Sequence, residues 1–196
     1  MQENYWAFVL FVVALTGTPG AGNLSMLALG QSVGYRRALP FFAGMVTGGV
    51  CLDIGVAVGL GELYAASPGL ADVFRVLGTA YILYLAWKIL RMQISETGAE
   101  RPFSFWEGLI LHPLNPKTWA MGISAYSQFT DPSGPWAIQA LLFVLTFMAG
   151  MITFHSIWGL AGASLMRALR TPALRLSVNS AMVLLMVGAT MYALFV

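Results

Sequence analysis

The sequence predicts an all-α integral membrane protein. Six transmembrane helices are expected, as two inverted three-helix repeats with helices 1 and 4 broken. Three observations carry this prediction. Only 9% of the 196 residues are charged and 58% are hydrophobic, whereas a soluble domain carries about 25% charged residues. So little charge cannot cover a globular surface in water, but lipid accepts an apolar exterior. Six apolar stretches each approach or exceed the ~20 residues that a helix needs to cross the hydrocarbon core. The first and fourth of these are interrupted by Pro and Asn at matching positions of the two halves.

Helix 1 is expected over 4–31, inside a run at 4–35 without a charged residue. Its acidic start, and the return of apolar residues after the break, favour a retained helix over a cleaved signal. Helix 2 is expected over 38–61 and helix 3 over 69–91. Asp72 and Arg75 near the outer end of helix 3 are spaced i,i+3 to pair. Helices 4, 5 and 6 follow over 105–129, 135–164 and 175–196. The connections at 34–37, 65–68, 131–135 and 167–175 are short. The longest polar segment, 92–104, is expected as a cytoplasmic linker. It divides a single membrane domain, 1–196, into repeats at 1–91 and 105–196.

Orientation follows from the loop cations. Arg36, Arg37, Lys88, Arg91, Arg101, Arg167, Arg170 and Arg175 fall on one side. Arg75 faces the other, among Glu3, Glu62, Asp72 and Asp131. Both termini are therefore expected on the non-cytoplasmic side. The net charge of +2 lacks the basic excess of nucleic-acid binders. Cys51, the single cysteine, excludes an intrachain disulfide and a cysteine-cluster metal site. No cofactor and no resident metal are expected.

The interruptions are the sequence's main functional signal. The first places Gly17, Pro19, Gly20, Gly22 and Asn23 in mid-helix. The second places Pro113, Asn115 and Pro116 there. Proline removes a donor and crowds the preceding turn, and the glycines are read as permitting unusual backbone angles. Backbone groups freed in a medium without water must meet protein, a wet cavity or a substrate. Each half-helix that restarts has an N-terminal end that favours an anion. Broken helices at corresponding positions of inverted halves point to a transporter's binding site; the bland alternative is two ordinary proline kinks.

Two charged residues lie within the spans. Asp53 and Lys117 are read either as functional groups or as a structural ion pair, with Lys117 alternatively snorkelling to the cytoplasmic edge. His155 is read either as a proton-handling residue or as a packing residue. His112 is expected near the interface in a local structural role. Gly44, Gly48, Gly55 and Gly59 are spaced for close helix packing. Trp6, Trp106 and Trp136 fit an aromatic belt at the span ends. No hydrolase or phosphate-loop motif is present.

Pro19-Gly20, Gly34-Tyr35-Arg36-Arg37, Gly44-x-x-x-Gly48, a helix bearing Gly78, Tyr81, Tyr84, Trp87, Lys88 and Arg91, and Asn115-Pro116-Lys117 occur in this order. In this the chain resembles the LysE/RhtB amino-acid exporter family over nearly its whole length. The resemblance implies a small bacterial inner-membrane protein that exports amino acids, driven by the proton gradient. The chain departs from the family pattern at several places. Ala21-Gly22-Asn23 follows Pro19-Gly20. Gly49 stands where many members carry an acid, with Asp53 one turn further on. His155 stands where some members have an acid, and Ala181 where a glycine is frequent.

The expected function is secondary export of an amino acid or similar small zwitterion by proton antiport. The expected substrate contacts are Gly20, Gly22, Asn23, Asp53, Asn115 and Lys117, with Asp53 and His155 in proton coupling. Either half-helix end serves for the substrate carboxylate. Export of a divalent metal, and a membrane-embedded enzyme or assembly subunit, are the alternatives. Glu107, His112 and Lys117 form the only grouping that would serve an enzyme. A homodimer is compatible with so slender a bundle.

Overall fold

The computed structural model describes residues 5–94, 103–168 and 171–195, all helices and short turns. In chain order the helices are α1 (Tyr5–Gly17), α2 (Ala21–Val33), α3 (Tyr35–Ala57), α4 (Leu60–Ala66), α5 (Pro68–Ile94), α6 (Phe105–Leu114), α7 (Pro116–Phe129), α8 (Trp136–Ala168) and α9 (Pro172–Phe195). Three stretches are long and apolar enough to cross a membrane: Tyr35–Ala57, Pro68–Arg91 and Trp136–Leu165. The pair Tyr5–Gly17 and Ala21–Val33, bent by 51°, makes a fourth when counted as one broken span. The apolar stretch of α9, Leu176–Gly188, is shorter. Large apolar side chains such as Leu10, Leu145 and Leu184 point outward, as in a multi-pass membrane protein.

The turns are tighter than the sequence suggests. Gly34 alone, at φ 84°, separates α2 from α3, so Tyr35, Arg36 and Arg37 are helical. Gly59, at φ 98°, ends the second span early and starts the short helix α4. Both conformations are left-handed, where only glycine is free of strain. Residues 171–175 already belong largely to α9, which begins at Pro172. Most of the linker 92–104, together with Glu3, Glu96, Glu100, Arg101 and Arg170, lies outside the described residues.

α6 begins with a reciprocal cap. Ser104 Oγ accepts from Glu107 N at 3.3 Å, and Glu107 Oε2 accepts from Ser104 N at 2.7 Å. This satisfies two orphan donors at once. Glu107 also accepts from Lys88 Nζ at 2.5 Å and Tyr84 Oη at 2.7 Å, tying α5 to α6. The i,i+3 pair of Asp72 and Arg75 forms at 3.2 Å.

Two apolar cores fill the ends of the bundle. One contains Phe41, Met45, Leu85 and Met186; the other contains Phe8, Val56, Phe143 and Phe147. Helices flanking the first core touch through bare backbone. A Cβ added to Gly44 or Gly48 of α3 would lie 2.0 Å from the carbonyl oxygens of Phe105 and Leu109 on α6. Gly30 of α2 and Gly162 of α8 lock in the same way, at 2.1 Å from Gly159 O and 2.0 Å from Leu27 O. The seams at the other end meet through side chains, as where Gly150 faces Thr16 and Val12. Gly55 and Gly59 do not belong to the close-packed set: Gly55 faces only the Leu60 side chain, and Gly59 faces open space. Their spacing reflects the turn, not a helix contact.

Gly48→Ala and Gly108→Ala are expected to lower stability by ~1–3 kcal/mol each, because a rigid backbone opposes the new methyl. Gly188→Ala, which meets nothing within 4 Å among the described residues, is expected to stay within ~0.5 kcal/mol of the parent. Thermal unfolding in detergent checks this; equal melting of the Gly48 and Gly188 variants would contradict the packed seam.

Candidate functional site

The first break is stabilised by one side chain. α1 ends at Gly17 and α2 begins at Ala21, leaving carbonyls without intrahelical partners. Asn23 Nδ2 donates to Thr16 O at 2.7 Å and to Thr18 O at 2.8 Å. The Asn23 amide thus replaces the N–H groups that the break removed. Its other end, Oδ1, lies 2.7 Å from His155 Nδ1 on α8.

Space, not backbone freedom, explains Gly17 and Gly22. None of Gly17, Gly20 and Gly22 has a positive φ, contrary to the expectation from sequence. A Cβ on Gly22 would lie 2.8 Å from His155 Cε1 and 3.4 Å from His112 Cε1. Gly22 therefore makes room for two histidine rings. Gly49 does the same on α3, where a Cβ would strike Met151 Sδ at 2.3 Å.

The second break is closed differently. Pro113 and Pro116 flank Asn115, whose extended backbone ends α6. Thr118 Oγ1 donates to His112 O at 2.6 Å, and Trp119 Nε1 to Pro113 O at 2.8 Å. Asn115 Oδ1 accepts from Lys117 N at 3.0 Å, and Asn115 O accepts from Thr118 N at 3.0 Å. Pro116 has no N–H to satisfy. The carbonyl ends of both breaks are thus closed, and so is the amide end of α7.

The amide end of α2 is not. Its cap, Gly20, supplies no side chain, and no side-chain cap hydrogen bond forms there. Leu24 N bonds Gly20 O at 2.9 Å, which leaves the N–H groups of the first turn open. Lys117 Nζ approaches this end, 3.5 Å from Thr18 Oγ1 and 3.5 Å from where a Cβ on Gly20 would lie.

The two breaks face one cavity of about 60 Å³, between the apolar cores. That volume holds a few waters. Gly20, Gly22, Asn23, Asp53, Asn115, Lys117 and His155 all line it. Pro19, Pro113 and Pro116 shape the breaks without lining the cavity. Asp53 is 4% exposed and, among the described residues, its Oδ2 has no hydrogen-bond partner. It forms no ion pair with Lys117 among the described residues.

His112 is the residue the sequence reading missed. It is buried, lines the cavity and meets His155 Nε2 through its own Nε2 at 3.2 Å, with ring planes within 15°. The available signal was its place directly before Pro113, on the broken helix. Thr18, Thr118 and Met151 also join the lining. The grouping of Glu107, His112 and Lys117 does not assemble: Glu107 is held by Lys88, His112 by His155, and Lys117 lies near Thr18. Among the described residues, no three His, Cys, Asp or Glu side chains come together as a metal site.

A family model described as LysE type translocator matches residues 12–194. The chain is 29% identical over 187 residues to a cysteine/O-acetylserine efflux protein of Escherichia coli, covering 94% of both chains. It is 29% identical over 186 residues to a protein of the same name from Shigella flexneri, covering 94% of this chain and 93% of that one. No solved structure matches the chain.

Asn23→Ala removes a donor from buried Thr16 O, an acceptor from buried His155 and, in a half-buried bond, a donor from Thr18 O. An unsatisfied buried group costs ~1–3 kcal/mol, so a loss of at least ~2 kcal/mol is expected. Chemical denaturation in mild detergent checks it; a neutral result would contradict the role of Asn23 in closing the break.

Proposed function

The chain belongs to the LysE type translocator family, and on that premise we propose that it exports a small amino acid, or a similar zwitterion, from the cytoplasm in exchange for protons. It is a membrane transporter and not an enzyme, as its efflux relatives indicate. The proposal includes six crossings of a bacterial inner membrane as inverted repeats 1–91 and 105–196, joined by the linker 92–104, with both termini outside. At 1.5 Å per residue, the 13 residues of α1 and the 10 residues of α6 carry each break roughly halfway across a ~30 Å core.

One observation carries the reading of the site: of the two restarted helices, only α2 leaves its amide end open. A helix N-terminus attracts an anion, and Lys117 adds a full positive charge beside it. The substrate carboxylate therefore goes to the first turn of α2, at 20–23, with Asn115 holding Lys117 in position through its backbone. The Asp53 carboxylate, whose Oδ2 has no partner among the described residues, receives the ammonium group. Leu52, Met121, Phe147 and Met151 line the cavity without adding a charge. They suit a small uncharged side chain, of the kind carried by the cysteine and O-acetylserine named for the relatives. Each site residue comes from one chain, so a homodimer would carry two sites.

The packing supports alternating access. Exchanging the two halves maps the α2–α8 and α3–α6 seams, which lock through glycine backbone, onto the α3–α7 and α1–α8 seams, which meet through side chains. Clefts open along the latter pair, one lined by Val56, Tyr126 and Trp136 and one by Val12, Leu145 and Gly150. A conformation tight on one side and loose on the other converts into its mirror by swapping these seams.

Efflux from loaded proteoliposomes tests the proposal. Asp53→Asn is expected to reduce export at least ~100-fold, the cost of leaving an ammonium without a buried partner. Lys117→Gln is expected to raise KM about tenfold or more, through weaker carboxylate binding. Full transport by the Asp53→Asn variant would remove Asp53 from the site.

A further inference from the structure

We propose that His112, rather than His155, takes up the exchanged proton, at its Nδ1 atom, and that His155 is a positioning residue that holds it. The proposal deepens the export reading above and rests on it.

Asn23 sets the hydrogen positions of the pair. Its Nδ2 donates to two main-chain carbonyls, of Thr16 and Thr18. That fixes the amide orientation, because the opposite one would set an oxygen against two oxygens. Oδ1 therefore faces His155 Nδ1 at 2.7 Å, and an oxygen acceptor requires a hydrogen on that nitrogen. A neutral imidazole carries one N–H, so His155 Nε2 holds a lone pair. The contact from His155 Nε2 to His112 Nε2, at 3.2 Å, then needs its hydrogen on His112. His112 is left with a lone pair on Nδ1. That atom is buried and has no hydrogen-bond partner among the described residues.

The chain of bonds thus runs in one direction, from His112 through His155 and Asn23 to the end of α1. A proton added to His155 Nε2 would place two N–H groups face to face. A proton added to His112 Nδ1 breaks nothing, and the bond from His112 Nε2 to His155 becomes charge-assisted. The incoming proton forms one N–H bond on His112, and its release to the other side restores the lone pair. No other atom of the pair changes partner.

The surrounding charges make proton and substrate compete. Among the described residues, Asp53 on α3 and Lys117 on α7 line the same cavity as the pair, and α2 contributes no titratable group. Further along α6, Glu107 is held by Lys88 and Tyr84 of α5, and Tyr81 of α5 bonds its carbonyl oxygen. Asp53 is thus the one carboxylate available to a new cation in the cavity. The imidazolium of His112 and the ammonium of the substrate both depend on it. Binding one weakens the other, as antiport requires.

The chain has 2 histidines, which makes the test direct. Protein labelled with nitrogen-15 histidine, without a polyhistidine tag, is measured by solid-state NMR in lipid bilayers. The His112→Gln variant assigns the two rings. At neutral pH the expected tautomers are Nδ1–H for His155 and Nε2–H for His112. On acidification His112 is expected to become doubly protonated first. The reverse tautomers, or first protonation of His155, would overturn the proposal. A transport readout accompanies this. His112→Gln is expected to lose at least tenfold in uptake driven by a pH gradient while keeping exchange of substrate for substrate. His155→Gln, whose amide can still donate to Asn23, is expected to keep gradient-driven transport with a shifted pH profile. Gradient-driven transport by His112→Gln together with uncoupling by His155→Gln would also overturn it. If the parent protein moves no zwitterion, the export reading fails, while the NMR measurement still decides the site of protonation.

Discussion

The whole arrangement depends on one constraint: a peptide group inside hydrocarbon needs a hydrogen-bond partner, and leaving it without one costs several kcal/mol. Breaking a helix in mid-span violates this unless side chains take over. Here Asn23 serves the carbonyls that end α1, and Thr118 and Trp119 serve those that end α6. Asn115 and Pro116 deal with the amide end of α7. The amide end of α2 is left over. A molecule that satisfied every terminus would have two stable kinks and no site. This one leaves one polarised end open beside a lysine and an unpartnered aspartate.

Apolar cores flank that layer, which stays open at Thr18. Small residues let the helices approach where polar groups must meet. Gly22 and Gly49 are bare because His112, His155 and Met151 occupy the space that a side chain would fill. The same economy of volume, repeated at Gly44, Gly48 and Gly108, closes one end of the bundle. Two kinds of glycine thus act together: some bring backbones into contact, and others leave room for the side chains of the cavity.

Much of this was legible in the sequence. Composition alone gave the membrane class, since nothing else tolerates so few charges. The breaks at Pro19 and Asn115 were visible because Pro and Gly rarely gather in an apolar run without a reason. Asp53 and Lys117 stood out by the cost of burying them. What escaped was pairwise. No local pattern shows that His112 meets His155 across α6 and α8, because the contact spans 43 positions of sequence. The purpose of Gly22 was misread for the same reason: glycine signals both strained backbone and missing volume, and only the neighbour tells which. Gly55 and Gly59 fit a packing spacing but serve a turn, as the left-handed angle at Gly59 shows. The unequal capping of α2 and α7 was also hidden, because Asn23 and Asn115 look alike until their partners are known.

On the export reading proposed above, both broken turns open onto one aqueous pocket that the substrate fills. Single cysteines at Thr18→Cys and Thr118→Cys, in a Cys51→Ala background, put this to the test. Both positions line the cavity, one from each break. In membranes, both are predicted to react with a small water-soluble thiol reagent, and a saturating small amino acid is predicted to slow the two reactions together. Positions that react only with a lipid-soluble reagent, or that differ in their protection by substrate, would contradict a shared site.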